Sequence, residues 1–288
     1  MFVFFTDTDM DVNSKLAKER GFELISMPYT LNDKDVFPYV DFEEFDSKAF
    51  YDSLRAGAMP TTSAINTEIY IQYFEPHFAA GNDIFYVSFS AAMSMTFNNM
   101  DEAVAILKEK YPERKFYRLD TKGITILSLN IFYEVSEMLK LGKTPEEIIK
   151  WAETEVNKFA VYFFADDLKF FKRSGRVSGI SAAMGNLIGI RPIIHINDEG
   201  KMFSIGKEKG RAKALARLVS YVEELGDNVK DHKVIIGHTD AYETAEEIRD
   251  MLIGKFGELD CEIVPVNPTA GSHCGPNCVG VSFHAKHR

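Results

Sequence analysis

Three hydroxyl-bearing residues near position 60 could bind an anion. Thr61, Thr62 and Ser63 come directly after Pro60 and precede a predicted helix. Hydroxyl groups and backbone N–H groups at a helix start together favour the binding of a negatively charged group. The same residue types are also common as helix N-caps, and both interpretations can hold together.

A second polar segment, residues 88–96, follows a predicted buried strand at residues 84–88. It contains Ser90, Ser94 and Thr96. Side chains at the carboxyl end of a parallel strand face the crevice in which α/β proteins bind ligands. The alternative is a polar loop in which Ser94 or Thr96 caps the next helix.

The segment Gly-Ser-His-Cys-Gly-Pro-Asn-Cys at residues 271–278 admits several chemistries. His273 beside Ser272 could donate to a carboxylate without the desolvation cost of a fully buried ion pair. His273, Cys274 and Cys278 are also metal-ligand types, but they lack the second cluster that zinc sites use. The Cys-x-x-x-Cys spacing also differs from the redox spacing Cys-x-x-Cys. We expect no metal and no cofactor.

A hydrolase is the alternative function. Ser90 or Ser63 could combine with His273 and an Asp to cleave a lipid-like ester. The sequence has no Gly-x-Ser-x-Gly elbow to support that array.

A cationic segment stands out in a chain of formal net charge −10. No Asp or Glu occurs between residues 168 and 197, while five cations fall at Lys169, Lys172, Arg173, Arg176 and Arg191. Such a cluster indicates a site for an anion or an acidic partner, although a solvated turn is the simpler alternative. The segment reads as an apolar strand at 161–164, a basic turn at Gly175, a helix of small residues, and an Ile-rich strand after Pro192.

Composition narrows the function classes. The 288 residues are enough for two domains. The acidic balance argues against general nucleic-acid binding, and no apolar run approaches the ~18 residues that a membrane span needs. Three cysteines do not suggest a disulfide framework. We expect a cytoplasmic protein without stable membrane insertion.

The pattern of elements predicts an α/β protein with two different sheets. Strands at 2–5, 84–88 and 116–119 alternate with amphipathic helices, which indicates a mostly parallel sheet. Thr144 and Glu147 frame a helix start, as do Asp240 and Glu243. Turn residues at 197–200 predict a hairpin between 192–196 and 201–205. We therefore expect an N-terminal α/β domain at 1–160, a C-terminal α/β domain with a mixed or antiparallel sheet at 161–288, and a ligand site between them.

These segments together resemble the DegV family of bacterial fatty-acid-binding proteins. The match is most specific over residues 166–200 and covers nearly the whole chain. Pro60-Thr61-Thr62-Ser63 matches the family's Thr-Thr-Ser motif, and Gly271, His273, Gly275 and Pro276 match its His motif. The sequence departs from the family pattern at several positions that bear on the pocket: Ala64, Ile65, Ala91, Ala92, Met95, Ile124, Cys274 and Asn277.

The resemblance implies a binding function. It implies a two-domain DegV-like fold that holds a long-chain fatty acid, with the tail in an apolar tunnel. The carboxylate would lie against Ser, Thr and His side chains at Thr61, Thr62, Ser63, Ser90, Ser94, Ser272 and His273. A separate fatty acid kinase, rather than this chain, would phosphorylate the carboxylate, and Lys172, Arg173 and Arg176 are the expected docking residues.

Overall fold

Strands and helices alternate along most of the chain in the computed structural model, which describes residues 1–178 and 189–288. The strands are β1 (Phe2–Asp7), β2 (Phe22–Ile25), β3 (Tyr29–Leu31), β4 (Lys34–Val36), β5 (Thr61–Thr62), β6 (Asp83–Ser88), β7 (Phe116–Asp120), β8 (Phe159–Phe164), β9 (Val177–Ser178), β10 (Ile190–Ile196), β11 (Met202–Lys209), β12 (Val234–His238), β13 (Cys261–Pro265) and β14 (Val279–His284). The helices are α1 (Ser14–Arg20), α2 (Ser47–Arg55), α3 (Thr67–Ala79), α4 (Thr96–Lys110), α5 (Ile126–Lys140), α6 (Pro145–Glu155), α7 (Lys169–Ser174), α8 (Arg211–Leu225), α9 (Tyr242–Phe256) and α10 (Pro268–Cys274). The predicted α/β class is confirmed.

The first sheet is parallel and has the strand order β2–β1–β6–β7. Its strands are short apolar runs between amphipathic helices, as expected for a parallel sheet covered on both faces. Because all four strands point the same way, Asp7, Ser88 and Asp120 end at one edge of the sheet. The polar loops that follow these strands therefore meet there, where α/β proteins bind ligands.

Two predicted helix starts have different outcomes. Thr144 and Glu147 form a capping box at the start of α6, with the Glu147 N–H donating to the Thr144 hydroxyl over 3.2 Å. The cap predicted at Asp240 is wrong, because α9 begins at Tyr242 and has no side-chain cap bond. Asp240 instead has a left-handed backbone, with φ of 52°, and its carboxylate pairs with Arg55.

A small antiparallel sheet of order β4–β3–β5 was not predicted. Thr61 and Thr62 form β5 and pair with Thr30 and Tyr29. The following helix, α3, is capped by Asn66, whose side chain accepts from the Ile69 N–H over 2.9 Å. The N-cap interpretation of Thr61–Ser63 is therefore wrong.

The second sheet has seven strands and mixed directions, in the order β13–β12–β14–β8–β10–β11–β9. The predicted hairpin is confirmed, since β10 and β11 pair antiparallel across the turn at 197–200. The basic turn forms the short helix α7, which ends at Gly175 in the left-handed conformation. The helix of small residues predicted after it falls on 179–188, outside the described residues.

Buried contacts connect the two sheets. The largest hydrophobic cluster includes Phe85 and Leu127 from the first half of the chain and Ile194 and Ile235 from the second. In α5, the Asn130 side chain donates to the carbonyl of Lys233 over 3.0 Å. The division into domains at residue 160 stays a prediction, and it falls within β8.

Arg288 makes a second connection between segments distant in sequence. Its buried guanidinium donates to the carbonyls of Val156, Phe159 and Lys122 at 2.8, 3.0 and 2.6 Å. Burial lowers the pKa of this group to about 10. Within the described residues, no helix combines the length and apolarity needed to cross a membrane.

Candidate ligand-binding site

A cavity of about 280 Å³ opens at the carboxyl edge of the parallel sheet. Both halves of the chain contribute to its wall. Most of the lining side chains are apolar, among them Phe89, Ile126, Val161, Phe163, Ile196 and Met202. A concave, largely apolar wall with a few polar groups is the usual form of a small-molecule site.

Thr62 and His273 form the polar centre of this wall. The Thr62 hydroxyl lies 2.8 Å from Nε2 of His273, although 211 positions separate the two residues. β5 positions the threonine, and α10 positions the histidine. Ser63 and Ser94 line the same cavity. The Ser94 oxygen accepts from the Thr96 N–H over 3.2 Å, and within the described residues its own O–H donates to no other group.

The surroundings of His273 keep its imidazole neutral. Burial lowers its pKa to about 4, and the nearby charges of Arg176 and Arg173 act in the same direction. A neutral imidazole carries one N–H and one acceptor nitrogen. His273 can therefore donate a hydrogen bond to a carboxylate without itself being a cation.

Three of the seven predicted ligand residues lie outside the cavity wall. Thr61 is exposed and precedes Thr62 on β5, so its side chain points to the opposite face. The Ser90 hydroxyl donates to the carbonyl of Gly200 over 2.9 Å, and that of Ser272 donates to Pro268 over 2.8 Å. The structure thus brings together Thr62, Ser63, Ser94 and His273.

Of the predicted docking residues, one lies at the cavity and a second contacts segments that adjoin Thr62 and His273. Arg176 lines the exposed end of the cavity. The Arg173 guanidinium donates to the carbonyl of Pro60 and, over 3.4 Å, to that of Ser272. Arg173 therefore joins the loop before β5 to the helix that carries His273. Lys172 is exposed on the same short helix, α7.

Two other cations of the basic segment are paired with carboxylates that precede it. Arg191 binds Asp166 at 2.6 Å, and Lys169 binds Asp167 at 2.9 Å. Within this segment, Arg176 and Arg173 are the cations whose charges act on the pKa of His273.

Sequence reasoning missed a buried carboxyl in the cavity wall. Asp9 follows β1, is 7% exposed and lines the cavity. Its neighbour Asp7 accepts from the Tyr86 hydroxyl and the Phe89 N–H, and Asp11 accepts from the backbone and side chain of Asn267. Within the described residues, Oδ1 of Asp9 is buried and has no hydrogen-bond partner. The sequence does contain a signal for this carboxyl, because Asp7, Asp9 and Asp11 occupy alternate positions just after an apolar run.

The alternative chemistries find little support in this geometry. Thr62 is the one hydrogen-bond partner of the His273 ring among the described residues, so the Ser–His–acid order of a hydrolase does not occur there. The described residues contain no group of three or more His, Cys, Asp or Glu side chains that could hold a metal ion. Cys274 and Cys278 line the cavity as free cysteines.

Comparison with known proteins places the fold and the sequence in one family. The family model for uncharacterised proteins of the DegV family matches residues 1–286. A DegV domain-containing protein of Clostridium perfringens is 33% identical over 282 residues, covering 98% of this chain and 97% of that protein.

Solved structures agree at the level of the fold. A DegV family protein from Ruminococcus gnavus, refined with vaccenic acid, superimposes with a TM-score of 0.84 at 20% identity, covering 98% of this chain and 99% of that one. A fatty-acid-binding DegV family protein from Streptococcus agalactiae gives 0.84 at 23% identity, covering 100% and 99%. With the match of the family model along nearly the whole sequence, these similarities show that the chain belongs to the DegV family.

Proposed function

We propose that this protein binds a long-chain fatty acid, with its carboxylate at the Thr62–His273 pair and its tail in the apolar part of the cavity. The observation that carries the proposal is the arrangement of the cavity wall. Hydroxyl, imidazole and guanidinium groups lie towards its exposed end, and the rest is lined mostly by buried apolar side chains. The vaccenic acid in the related Ruminococcus gnavus structure supports the same ligand class.

The tail would supply most of the binding free energy. A long-chain fatty acid has roughly 15 methylenes, and burial of each contributes about 0.8 kcal/mol. Full burial would therefore contribute about 12 kcal/mol before the costs of ordering the chain. The polar end then needs only to fix the direction and register of the ligand.

The polar end is suited to a carboxylate. Thr62, Ser63 and Ser94 offer hydroxyl donors, and neutral His273 offers an N–H. Arg176 adds a full positive charge at the exposed end of the cavity. Hydrogen bonds to an ionised group are about twice as strong as those between neutral groups. Together these residues would hold the carboxylate near solvent.

We also propose that the protein is a carrier that presents this carboxylate to a separate kinase in the cytoplasm. The motif resemblance and the exposed position of the polar cluster support this role. Lys172, exposed on α7, is the proposed docking residue. Lys172→Glu should leave fatty-acid affinity unchanged and slow acyl-phosphate formation by the partner kinase. Equal phosphorylation of both proteins would remove Lys172 from the docking surface.

A chain-length series tests the binding function. Delipidated protein is titrated calorimetrically with saturated fatty acids of increasing length. Because each buried methylene contributes about 0.8 kcal/mol, Kd should fall about fourfold per added carbon until the cavity is full. Absence of binding to any acid, or an affinity that does not change with length, would contradict the proposal.

A further inference from the structure

The deep part of the cavity contains a polar group that a hydrocarbon tail cannot satisfy. Asp9 is nine-tenths buried and lines the cavity among apolar side chains such as Phe89 and Ile126. Its Oδ1 atom is shielded from solvent and has no hydrogen-bond partner within the described residues. A buried polar group of this kind is unfavourable unless something pairs with it.

The two acidic residues beside Asp9 receive hydrogen bonds from the fold. Asp7 receives three hydrogen bonds, from the Tyr86 hydroxyl at 2.9 Å, the Phe89 N–H at 3.2 Å and the Asp9 N–H at 3.1 Å. Asp11 receives two hydrogen bonds of 2.8 Å from Asn267. The fold itself thus satisfies Asp7. Oδ2 of Asp11 is buried without a partner in the described residues, as Oδ1 of Asp9 is, but of these two residues Asp9 alone lines the cavity, where a ligand can reach its side chain.

Asp9 is also separate from the proposed carboxylate site. The charges of Arg176 and Arg173 shift the pKa of His273. The charges of Asp7 and Asp11 shift the pKa of Asp9. No described hydrogen bond joins Asp9 to Thr62 or His273. The exposed lining residues are Ser63, Ala64, Met95 and Arg176, while Asp9 lies with the buried ones. A fatty acid held at Thr62 would therefore meet Asp9 along its tail.

The chemistry of Asp9 selects one kind of partner. Burial, followed by the repulsion of Asp7 and Asp11, raises its pKa well above the ordinary range, which favours the neutral, protonated carboxyl. A protonated carboxyl donates one hydrogen bond and accepts others. An alcohol also does both, so it can pair with Asp9 in either protonation state. A keto oxygen accepts only and could pair with the protonated form alone.

We propose that Asp9 recognises a hydroxyl group on the acyl chain, and that the preferred ligands of this protein are hydroxy fatty acids. The inference rests on the proposed fatty-acid function and adds a subsite to it. A saturated tail would cover the Asp9 carboxyl without pairing with it. A hydroxyl at the matching carbon would satisfy that carboxyl and lose little of its own hydrogen bonding on leaving water.

The test compares stearic acid with hydroxystearic acids that carry the hydroxyl at different carbons. In the wild-type protein, at least one positional isomer should bind about tenfold more tightly than stearic acid. Asp9→Leu, which keeps the branching at Cγ and removes the polar group, should bind stearic acid and lose that preference. Asp9→Asn, which still donates and accepts, should keep part of it. Met27→Leu alters an apolar residue of the same wall and should keep the full preference.

The outcomes separate the two proposals. If stearic acid binds wild-type protein as tightly as every hydroxy isomer, the Asp9 subsite is disproved and the fatty-acid function stands. If a preferred isomer exists but Asp9→Leu retains the preference, another group recognises the hydroxyl and the assignment to Asp9 is wrong. If neither acid class binds the wild-type protein, both proposals fail together.

Discussion

The hydroxyl of Thr62 lies 2.8 Å from Nε2 of His273 and joins a two-residue strand in the first half of the chain to a short helix near its end. Within the described residues, neither side chain has a second hydrogen-bond partner. Both can therefore form a further hydrogen bond with a ligand. The pair lies at the exposed end of an otherwise apolar cavity. It is the geometric centre of the proposed carboxylate site.

Removing the Thr62 hydroxyl should weaken fatty-acid binding. Thr62→Val keeps the shape of the side chain and removes its hydroxyl donor. Loss of one hydrogen bond to an ionised carboxylate should raise Kd about tenfold. Thr61→Val is the matched control, because that side chain is exposed on the other face of β5. Titration of both variants with one fatty acid measures the difference. Equal affinities for the two would remove Thr62 from the site.

His273 should titrate far below an ordinary histidine. Its pKa is lowered to about 4 by burial and by Arg176 and Arg173. NMR of the ligand-free protein should show an imidazole with a midpoint near 4, identified by the loss of its signal in His273→Gln. A midpoint at or above 6.5 would contradict the account of a buried imidazole that is neutral because of its surroundings.

The same shift has a consequence for stability. Above pH 6.5, His273 is neutral in both the folded and the unfolded state. As the pH falls from 6.5 towards 4, the unfolded state takes up the proton first. The free energy of unfolding therefore decreases. His273→Gln removes that decrease. Urea denaturation of both proteins at pH 7.5 and pH 5 should therefore show a smaller decrease in the variant.

Arg173 should support ligand binding by holding two segments together. Its guanidinium bonds to the carbonyls of Pro60 and Ser272, which flank Thr62 and His273 in sequence. Arg173→Gln should weaken fatty-acid binding about fivefold to tenfold through misplacement of that pair. Lys169→Gln, a change to a cation of α7 that pairs with Asp167, is the control. If both variants bind as the wild type does, Arg173 is better placed on the docking surface.

Sequence reasoning succeeded where local patterns decide the structure. The capping box of Thr144 and Glu147 lies within four residues, and the hairpin between β10 and β11 follows from its turn residues. It failed where a partner distant in sequence determines the role of a side chain. The hydroxyl of Ser90 is taken by Gly200, 110 positions away, and Asp240 pairs with Arg55 instead of capping a helix.

The roles of Thr61 and Thr62 also depend on a partner that the local sequence does not reveal. Thr61 and Thr62 could not be told apart while the segment was interpreted as a helix cap. Pairing with β3 makes it a strand, and alternation along a strand then sends one side chain outward and the other to the cavity. The motif resemblance pointed to the segment as a whole, and only the structure separates its members.

Neutralising Asp9 should stabilise the protein at high pH. The pKa of this carboxyl is raised in the folded state, so its contribution is fully present below pH 3.8 and is lost as the pH rises through the folded value. Asp9→Asn removes the cost of ionising a buried group. We expect the variant to have a higher free energy of unfolding than wild type in urea denaturation at pH 8, with a smaller difference at pH 5.

An exposed carboxylate provides the comparison for Asp9. Glu109→Gln, on the outer side of α4, should change the free energy of unfolding little at either pH. If Asp9→Asn behaves in the same way as Glu109→Gln, the Asp9 carboxyl is not held as a neutral acid.

The most direct test of the fatty-acid function is to extract the protein as it is isolated. Protein purified without added lipid is treated with organic solvent, and the extract is examined by mass spectrometry. We predict a fatty acid in near-stoichiometric amount, which Thr62→Val would retain less well than Thr61→Val. An extract without fatty acid, from a protein that also fails to bind added fatty acids, would contradict the account.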